Sequence, residues 1–526
     1  MSNKLSEVIN TLRRLEGPLQ VSAGPEQVTV VTAAPALAQV CAQVAQACDA
    51  RLATSVGCDE RLLGRGFQVY FVFAADRAGA FITVQAELDE NAPVFPSLTA
   101  RLPAANWHER EMHDLLGFLP QGHPDLRPLV LHPGWPKGFF PLRKDAQLPP
   151  SPFQVAGDLD MPGVTGQGVY QLPVGPIHAG VIEPGHFRFF LDGEQILSLE
   201  AQLFYVHRGA EKLIEGRTPA LALPVVERLC ATCSASHAIG FCQAVEALSG
   251  VEIPPRARHL RTLYLELERL YNHLGDMGNI CAGLSYHLGN YLGASSKEAL
   301  VSLNAELTGH RYLMGVAALG GVRADLPGHA PERIRTVLAQ AYRDLQELLS
   351  GITTSPSVLD RLENTGRLSR EVALELALVG PAARASGVDR DARRDHPYLA
   401  YSDLKLLVPL RSAGDVYSRL MVRADEAQVS MDLVNQLLRT LPAGPVRTDV
   451  PPLPPRRQAL SWIESPRGES VHWVQGGNDG TIYRYRLRSA SYQNWPAVPQ
   501  AVLGNIVPDF PLVNKSFELC YSCTDR

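Results

Sequence analysis

The sequence predicts an α+β protein in two parts: a small N-terminal α+β domain over residues 1–145 and a larger, helix-rich domain with minor sheets over 166–526, joined by a linker at 146–165. Three observations lead to this reading. At 526 residues the chain is too long for one ordinary domain. Its first part alternates helical and β-rich runs, as in "VTVV" and "FQVYFVFAA". After the Pro- and Gly-rich stretch "AQLPPSPFQVAGDLDMPGVT" the character changes to long helical patterns.

Taken in order, "MSNKLSEVINTLRRLEG" reads as the start of an amphipathic helix, without the apolar core of a signal peptide. "VTVV" is a short strand. "PALAQVCAQVAQACDARL" carries helical spacing at Leu37, Val40, Val44 and Ala47. "FQVYFVFAA" and "AFITVQAEL" are strands joined by the hairpin turn "DRAG". "NWHEREMHDLLGF" is a charged helix, and the Pro/Gly-dense stretch to "PLRKD" is loop. In the second part "PPRARHLRTLYLELERLYNHLGDMGN" opens on two prolines. It spaces Leu260, Leu263, Leu267, Leu270 and Leu274 by three and four, which predicts a long helix. "SREVALELALV" and "DVYSRLMVRADEAQVSMDLVNQLLRTL" are further helices, and "SVHWVQGGNDGTIYRYRLRS" is a hairpin about "GGNDG". "PAGPVRTDVPPLPPRR" is a surface loop.

Composition narrows the function. Forty-five percent apolar and 20% charged residues describe a globular protein with ample core. A net charge of −5 gives no basic footprint for nucleic acid. The apolar runs are cut by Pro, Gly or charge before they reach membrane-spanning length. The expectation is a cytoplasmic chain that can lie against a membrane through a partner.

The nine cysteines carry the chemistry. Cys41, Cys48, Cys58, Cys242 and Cys281 stand alone and read as small buried side chains. The other four form two C-x-x-C pairs, Cys230/Cys233 in "ERLCATCSASH" and Cys520/Cys523 in "ELCYSCTDR". Four thiolates suit zinc, an iron–sulfur cluster or another soft transition metal. A structural zinc site draws its pairs from one stretch, with roughly 12–20 residues between them. Here over half the chain intervenes, so a shared site would staple the last residues to the centre of the second domain. Near the pairs lie His237, four residues after Cys233, and Arg467 in the Pro–Gly bend "ESPRGE". Glu183 in "EPGHFRFFLDGE" and Glu211 in "HRGAEKLIEGR" are the acidic candidates.

Together these segments resemble the large subunit of a nickel–iron hydrogenase of group 4, the energy-converting, formate-hydrogenlyase type related to respiratory complex I. The two cysteine motifs match in order with "GPIHAGVIEPGHFRFFLDGE", "LELERLYNHLGDMGN", "LTGHR", "GGVR", "PYLAY", "GDVYSRLMVRADE" and "ESPRGE". "WHEREMHDLLGF", "GHPDLRPL" and "PLRKD" resemble the complex I 30 kDa subunit, ahead of a 49 kDa-like part. The resemblance implies a Ni–Fe centre with carbonyl and cyanide on iron, running 2H⁺ + 2e⁻ ⇌ H₂. It makes Cys230 and Cys520 terminal nickel ligands, and Cys233 and Cys523 bridges between nickel and iron. Arg467 matches the arginine over the open metal position, Glu183 the proton-passing glutamate, His237 a hydrogen-bond donor to a cysteine sulfur or cyanide, and Glu211 a Mg²⁺ ligand.

This sequence departs from the family at Pro184, at Ala231–Thr232 between the first cysteines, at Glu518–Leu519 before the last pair, and at Arg526, where most members have histidine. The resemblance further implies an iron–sulfur small subunit, a ferredoxin-like subunit and membrane subunits as partners, with iron–sulfur clusters only in the partners. It places the chain peripherally on the cytoplasmic face of the membrane. The first domain, with His108, His113 and His123, is expected to be an assembly surface without chemistry of its own. The competing expectation is a complex I-like quinone or coupling subunit that is metal-free, or stapled by zinc.

Overall fold

The computed structural model describes residues 3–15, 19–24, 27–147, 162–179 and 182–526. Most of the stretch expected to be a linker, 148–161, lies outside these residues. Helices α1 (Asn3–Arg13) and α2 (Leu37–Ala47) belong to a five-stranded sheet unit. Its strands are β1 (Gln20–Ala23), β2 (Gln27–Val31), β3 (Arg51–Asp59), β4 (Phe67–Ala75) and β5 (Ala80–Leu88), ordered β1-β2-β5-β4-β3. Among the described strands of this sheet, β2 and β5 pair in parallel and the other neighbours pair antiparallel. The β4 and β5 strands fall on the quoted β-rich runs, with Phe71 opposite Val84.

The helical pattern in the sequence extends through Leu52. The chain instead leaves α2 at Ala47, turns through Asp49 at φ 47°, and starts β3 at Arg51. Every residue of β3 is buried, so the strand shows none of the polar alternation that marks a half-exposed one. Helix α3 (Asn106–Leu116) lies against it at Gly57, where a Cβ would sit 2.4 Å from Leu116. Short strands β6 (Val94–Pro96) and β7 (Leu119–Gln121) pair beside α3.

The larger part begins with a three-stranded antiparallel sheet that the sequence reading did not resolve: β8 (Val169–Val174), β9 (His186–Asp192) and β10 (Gln195–Gln202). Helices follow: α4 (Ala210–Ile214), α5 (Pro219–Glu227), α6 (Ser234–Ser249), α7 (Pro255–Gly283), α8 (His287–Thr308) and α9 (Ala330–Thr353). The two-residue strands β11 (Ala317–Ala318) and β12 (Gly321–Val322) pair before α9.

The expected leucines of α7 are all essentially inaccessible. So are Glu266, Glu268, Arg269 and His273, because helix Val416–Thr440, α6 and α8 enclose α7 on every side. A second sheet, β13 (Gln458–Ser465), β14 (Gly468–Gly476) and β15 (Ile482–Arg488), contains the expected hairpin. It also holds a tighter one, in which Ser465 pairs with Gly468 about Pro466–Arg467.

Side chains of this sheet cover the open edge of β3. Arg488 and Arg484 donate to the carbonyls of Ala53 (2.6 Å) and Gly57 (3.2 Å), and Arg51 is paired with Glu469 (2.6 Å). These bonds occupy backbone acceptors that an edge strand would otherwise expose. No helix among the described residues is long and apolar enough to cross a membrane.

Candidate metal centre

The first cysteine pair is set by α6 and α7. Cys233 is the residue before α6, and the free N–H groups of Ala235 and Ser236 at the helix start donate to Glu268 of α7 (2.7 and 3.0 Å). Burial pushes the Glu268 carboxyl up to about 8 against these bonds. One turn on, Asn272 donates to the Thr232 carbonyl at 2.7 Å, and Tyr271 reaches the same oxygen at 3.1 Å. The Thr232 hydroxyl stands 3.0 Å from Cys230 Sγ. The Ala231–Thr232 departure therefore gives the loop between the cysteines a polar anchor.

The second pair sits on the short helix Tyr521–Asp525, capped by Cys520, whose sulfur accepts from the Cys523 N–H at 3.3 Å. The tail is held by side chains distant in sequence. Ser491 accepts from the Cys520 N–H (3.0 Å), Ser489 donates to the Cys523 carbonyl (2.8 Å), and the Val206 N–H donates to Asp525 (3.0 Å). Glu183 accepts from the backbone N–H of Ser522 at 3.0 Å and from its hydroxyl. It thus reaches one of the two residues between the cysteines, with Pro184 accommodated beside it.

The sulfurs of Cys230, Cys520 and Cys523 lie within 4.8 Å of one another, and Cys233 packs into the same buried cluster. Cys520 and Cys230 approach to 3.4 Å. The neighbouring thiols donate to Cys230, which holds its pKa well below the usual thiol value, while Cys233, Cys520 and Cys523 are pushed up. Four sulfurs sharing protons in a dry pocket form a donor set suited to a soft metal.

Arg467 projects from the two-residue hairpin. Its Nη1 lies 3.6 Å from Cys233 Sγ and 3.1 Å from Asn272 Oδ1, its Nη2 is 3.8 Å from Asp276, and its Nε donates to the Glu518 carbonyl. The hairpin tip is seated on Gly380 at φ 71°, where a Cβ would meet the Arg467 carbonyl at 2.3 Å. His237 Nε2 lies 3.3 Å from Cys523 Sγ, and burial lowers its pKa to about 4, so the ring is neutral.

Two expectations need correction. Glu211 does not sit in an oxygen-rich cation site. It is bound by Arg484 (2.8 Å), with Arg486 and Arg526 each 3.4 Å away and the Leu487 N–H at 3.3 Å. Mg²⁺ wants oxygen donors in octahedral array, and guanidinium groups donate only. These residues do not fit Mg²⁺. Nor is the N-terminal unit without a part in the site, since Glu111 of α3 pairs with Arg526 at 2.8 Å and with Arg486. Its histidines are separate: His108 faces Gln493 (3.5 Å), His113 the Phe118 carbonyl (3.0 Å) and His123 Glu109 (3.7 Å).

Sequence reasoning missed Glu268, Asn272 and Asp276. Their spacing of four on α7 was the available signal, one polar stripe in a leucine-rich helix.

Residues 208–277 match the nickel-dependent hydrogenase family, residues 289–458 and 451–526 the 49 Kd subunit of respiratory-chain NADH dehydrogenase, and residues 30–152 its 30 Kd subunit. Formate hydrogenlyase subunit 5 of Escherichia coli (strain K12) is 38% identical over 481 residues, covering 90% of this chain and 84% of that protein. Hydrogenase-4 component G of the same organism is 36% identical, covering 95% and 88%. Among solved structures, that of the membrane-bound sulfane sulfur reductase, an archaeal respiratory membrane complex, aligns with TM-score 0.64 at 28% identity. It covers 68% of this chain and 99% of the matched one. The chain belongs to the energy-converting, formate-hydrogenlyase-type hydrogenase large subunits, fused to a complex I 30 kDa-like part.

Proposed function

We propose that the four cysteines hold a Ni–Fe centre, with Cys230 and Cys520 as terminal nickel ligands and Cys233 and Cys523 shared between nickel and an iron that carries carbonyl and cyanide. When bound, that centre supplies the electron and proton chemistry of 2H⁺ + 2e⁻ ⇌ H₂. The observation that carries this reading is the meeting of sulfurs from both motifs in one buried cluster. Arg467 places a fixed positive charge beside Cys233 in a pocket that excludes water, where such a charge acts most strongly. His237 orients the Cys523 sulfur through Nε2. Glu183 accepts from the Ser522 hydroxyl between the tail cysteines, the contact along which a proton would pass to and from the site.

None of the remaining cysteines forms a further metal-binding group among the described residues, so electrons pass to a partner small subunit bearing iron–sulfur clusters. A ferredoxin-like subunit and membrane subunits complete the assembly, and the chain sits peripherally at the cytoplasmic face. Its likeness to the membrane-bound hydrogenase subunit alpha of Pyrococcus furiosus supports a place in a membrane-associated assembly.

The test is an infrared spectrum of the purified protein with nickel and iron measured on the same sample. Metal-bound carbonyl and cyanide bands with about one nickel per chain are expected. Zinc, or no metal, without those bands in an active preparation overturns the reading in favour of a complex I-like subunit.

A further inference from the structure

Behind the cysteine cluster lies a buried ionic group drawn from four distant segments. Glu111 comes from α3 of the N-terminal unit, Glu211 from α4, Arg484 and Arg486 from β15, and Arg526 from three residues past Cys523; all are at most 6% exposed. Arg526 Nη2 donates to Glu111 (2.8 Å), and its Nη1 donates to the Leu487 carbonyl (2.6 Å) and lies 3.4 Å from Glu211. Its guanidinium lies 4.8 Å from the ring centre of Tyr492. Every carboxylate oxygen of the two glutamates faces an N–H donor.

Burial alone would raise both carboxyl pKa values. The arginines override it and hold Glu111 well below the usual range and Glu211 below its ordinary value, so both are ionised. Three guanidinium groups already outnumber the two carboxylates. A divalent ion added here would meet carboxylate oxygens already engaged by N–H donors and a surplus of positive charge.

We propose that Arg526 is the built-in cation of this pocket, in place of a metal ion. Glu111, supplied by the N-terminal unit, is the positioning residue that latches it and, with it, the turn bearing Cys520 and Cys523. The fork geometry of arginine lets one side chain bind Glu111 and a backbone carbonyl at once, which a spherical ion cannot do directionally. The short helix behind it then needs no metal below it to stay in register. The latch acts on the protein part of the site and holds whichever metal the cysteines take.

The test uses the full chain purified before nickel insertion, so its outcome is independent of the Ni–Fe reading. Iodoacetamide labelling followed by mass spectrometry reads each thiol. Glu111→Gln should alkylate Cys520 and Cys523 at least about tenfold faster than wild type, as expected for a locally loosened segment. Cys41, Cys242 and Cys281 should stay protected as a control for the fold. Unchanged rates at Cys520 and Cys523 overturn the latch. If all thiols open together, Arg526→Lys decides: it keeps the charge but loses the fork. Selective tail labelling in that variant supports the proposal, and none overturns it. Separately, Mn²⁺ followed by electron paramagnetic resonance should show no site filled at about 100 µM in wild type. One bound Mn²⁺ that Glu211→Gln abolishes would overturn the substitution of arginine for metal.

Discussion

The two cysteine pairs reach the same cluster by different physics. Cys230 and Cys233 stand at the start of α6, a 16-residue helix whose core side, with Ile239 and Val245, is inaccessible and packed beside α7. Apolar burial fixes that half. Cys520 and Cys523 ride on a five-residue helix, too short to be stable alone. Its position comes from hydrogen bonds to Glu183, Val206, Ser489 and Ser491, and from the ion pairs of Arg526. The first half is built by packing, whose loss is felt by the whole fold. The second is built by polar contacts, whose loss is felt locally.

The contrast is broken most severely by removing a proposed ligand. Cys523→Ala should abolish H₂ turnover and leave nickel at background in elemental analysis, because on the proposed reading both halves close on one metal centre. Retained turnover in this variant would refute the hydrogenase site as drawn. Next, Leu270→Ala, at a fully buried position of α7, should lower global stability by about 2–5 kcal/mol in denaturant unfolding. Arg467→Lys should cut turnover on the order of 100-fold with metal content unchanged, since an ammonium cannot meet Asn272, Asp276 and the Glu518 carbonyl together. Loss of metal in this variant would instead make Arg467 a structural residue.

Smaller again, Glu183→Gln should slow turnover about tenfold while leaving the unfolding midpoint in place. A lowered midpoint would move Glu183 to the packing side of the comparison.

The last test concerns pH and falls on Glu268. Its carboxyl titrates near 8 in the folded chain against 4.5 for an ordinary glutamate. A raised folded pKa means that the native state binds the proton more tightly. The stability this confers is complete below about pH 4.5 and is lost as pH rises through about 8. Glu268→Gln, which cannot ionise, should remove that slope in a pH series of unfolding curves. An unchanged slope would assign it to other groups.

Much of the architecture was legible. β4, β5, α3, α7 and the helix 416–440 fall where the sequence placed them, because the helices exceed two turns and the two strands are dense in β-branched and aromatic residues. β3 and β13 are not legible in the sequence, since "RLATSVGCD" and "QALSWIES" mix small and polar residues and carry neither alternation nor a run of aromatic and β-branched residues. α7 was read as amphipathic because its leucines repeat. Its buried Glu266, Glu268 and Arg269 become intelligible only with their partners, Arg393, the α6 N-terminus and the Glu464 carbonyl.

By itself the sequence determined the donor chemistry: two C-x-x-C pairs, an arginine in a tight bend and a histidine one helical turn past the first pair. Those are properties of residue type and local spacing, and local spacing is what a linear pattern carries. Only the tertiary structure decided which charges neutralise one another. It gave Glu211 to three arginines rather than to a metal ion, and it brought Glu111 from the N-terminal unit to Arg526, because ion pairing in a buried site depends on distances between segments far apart in the chain.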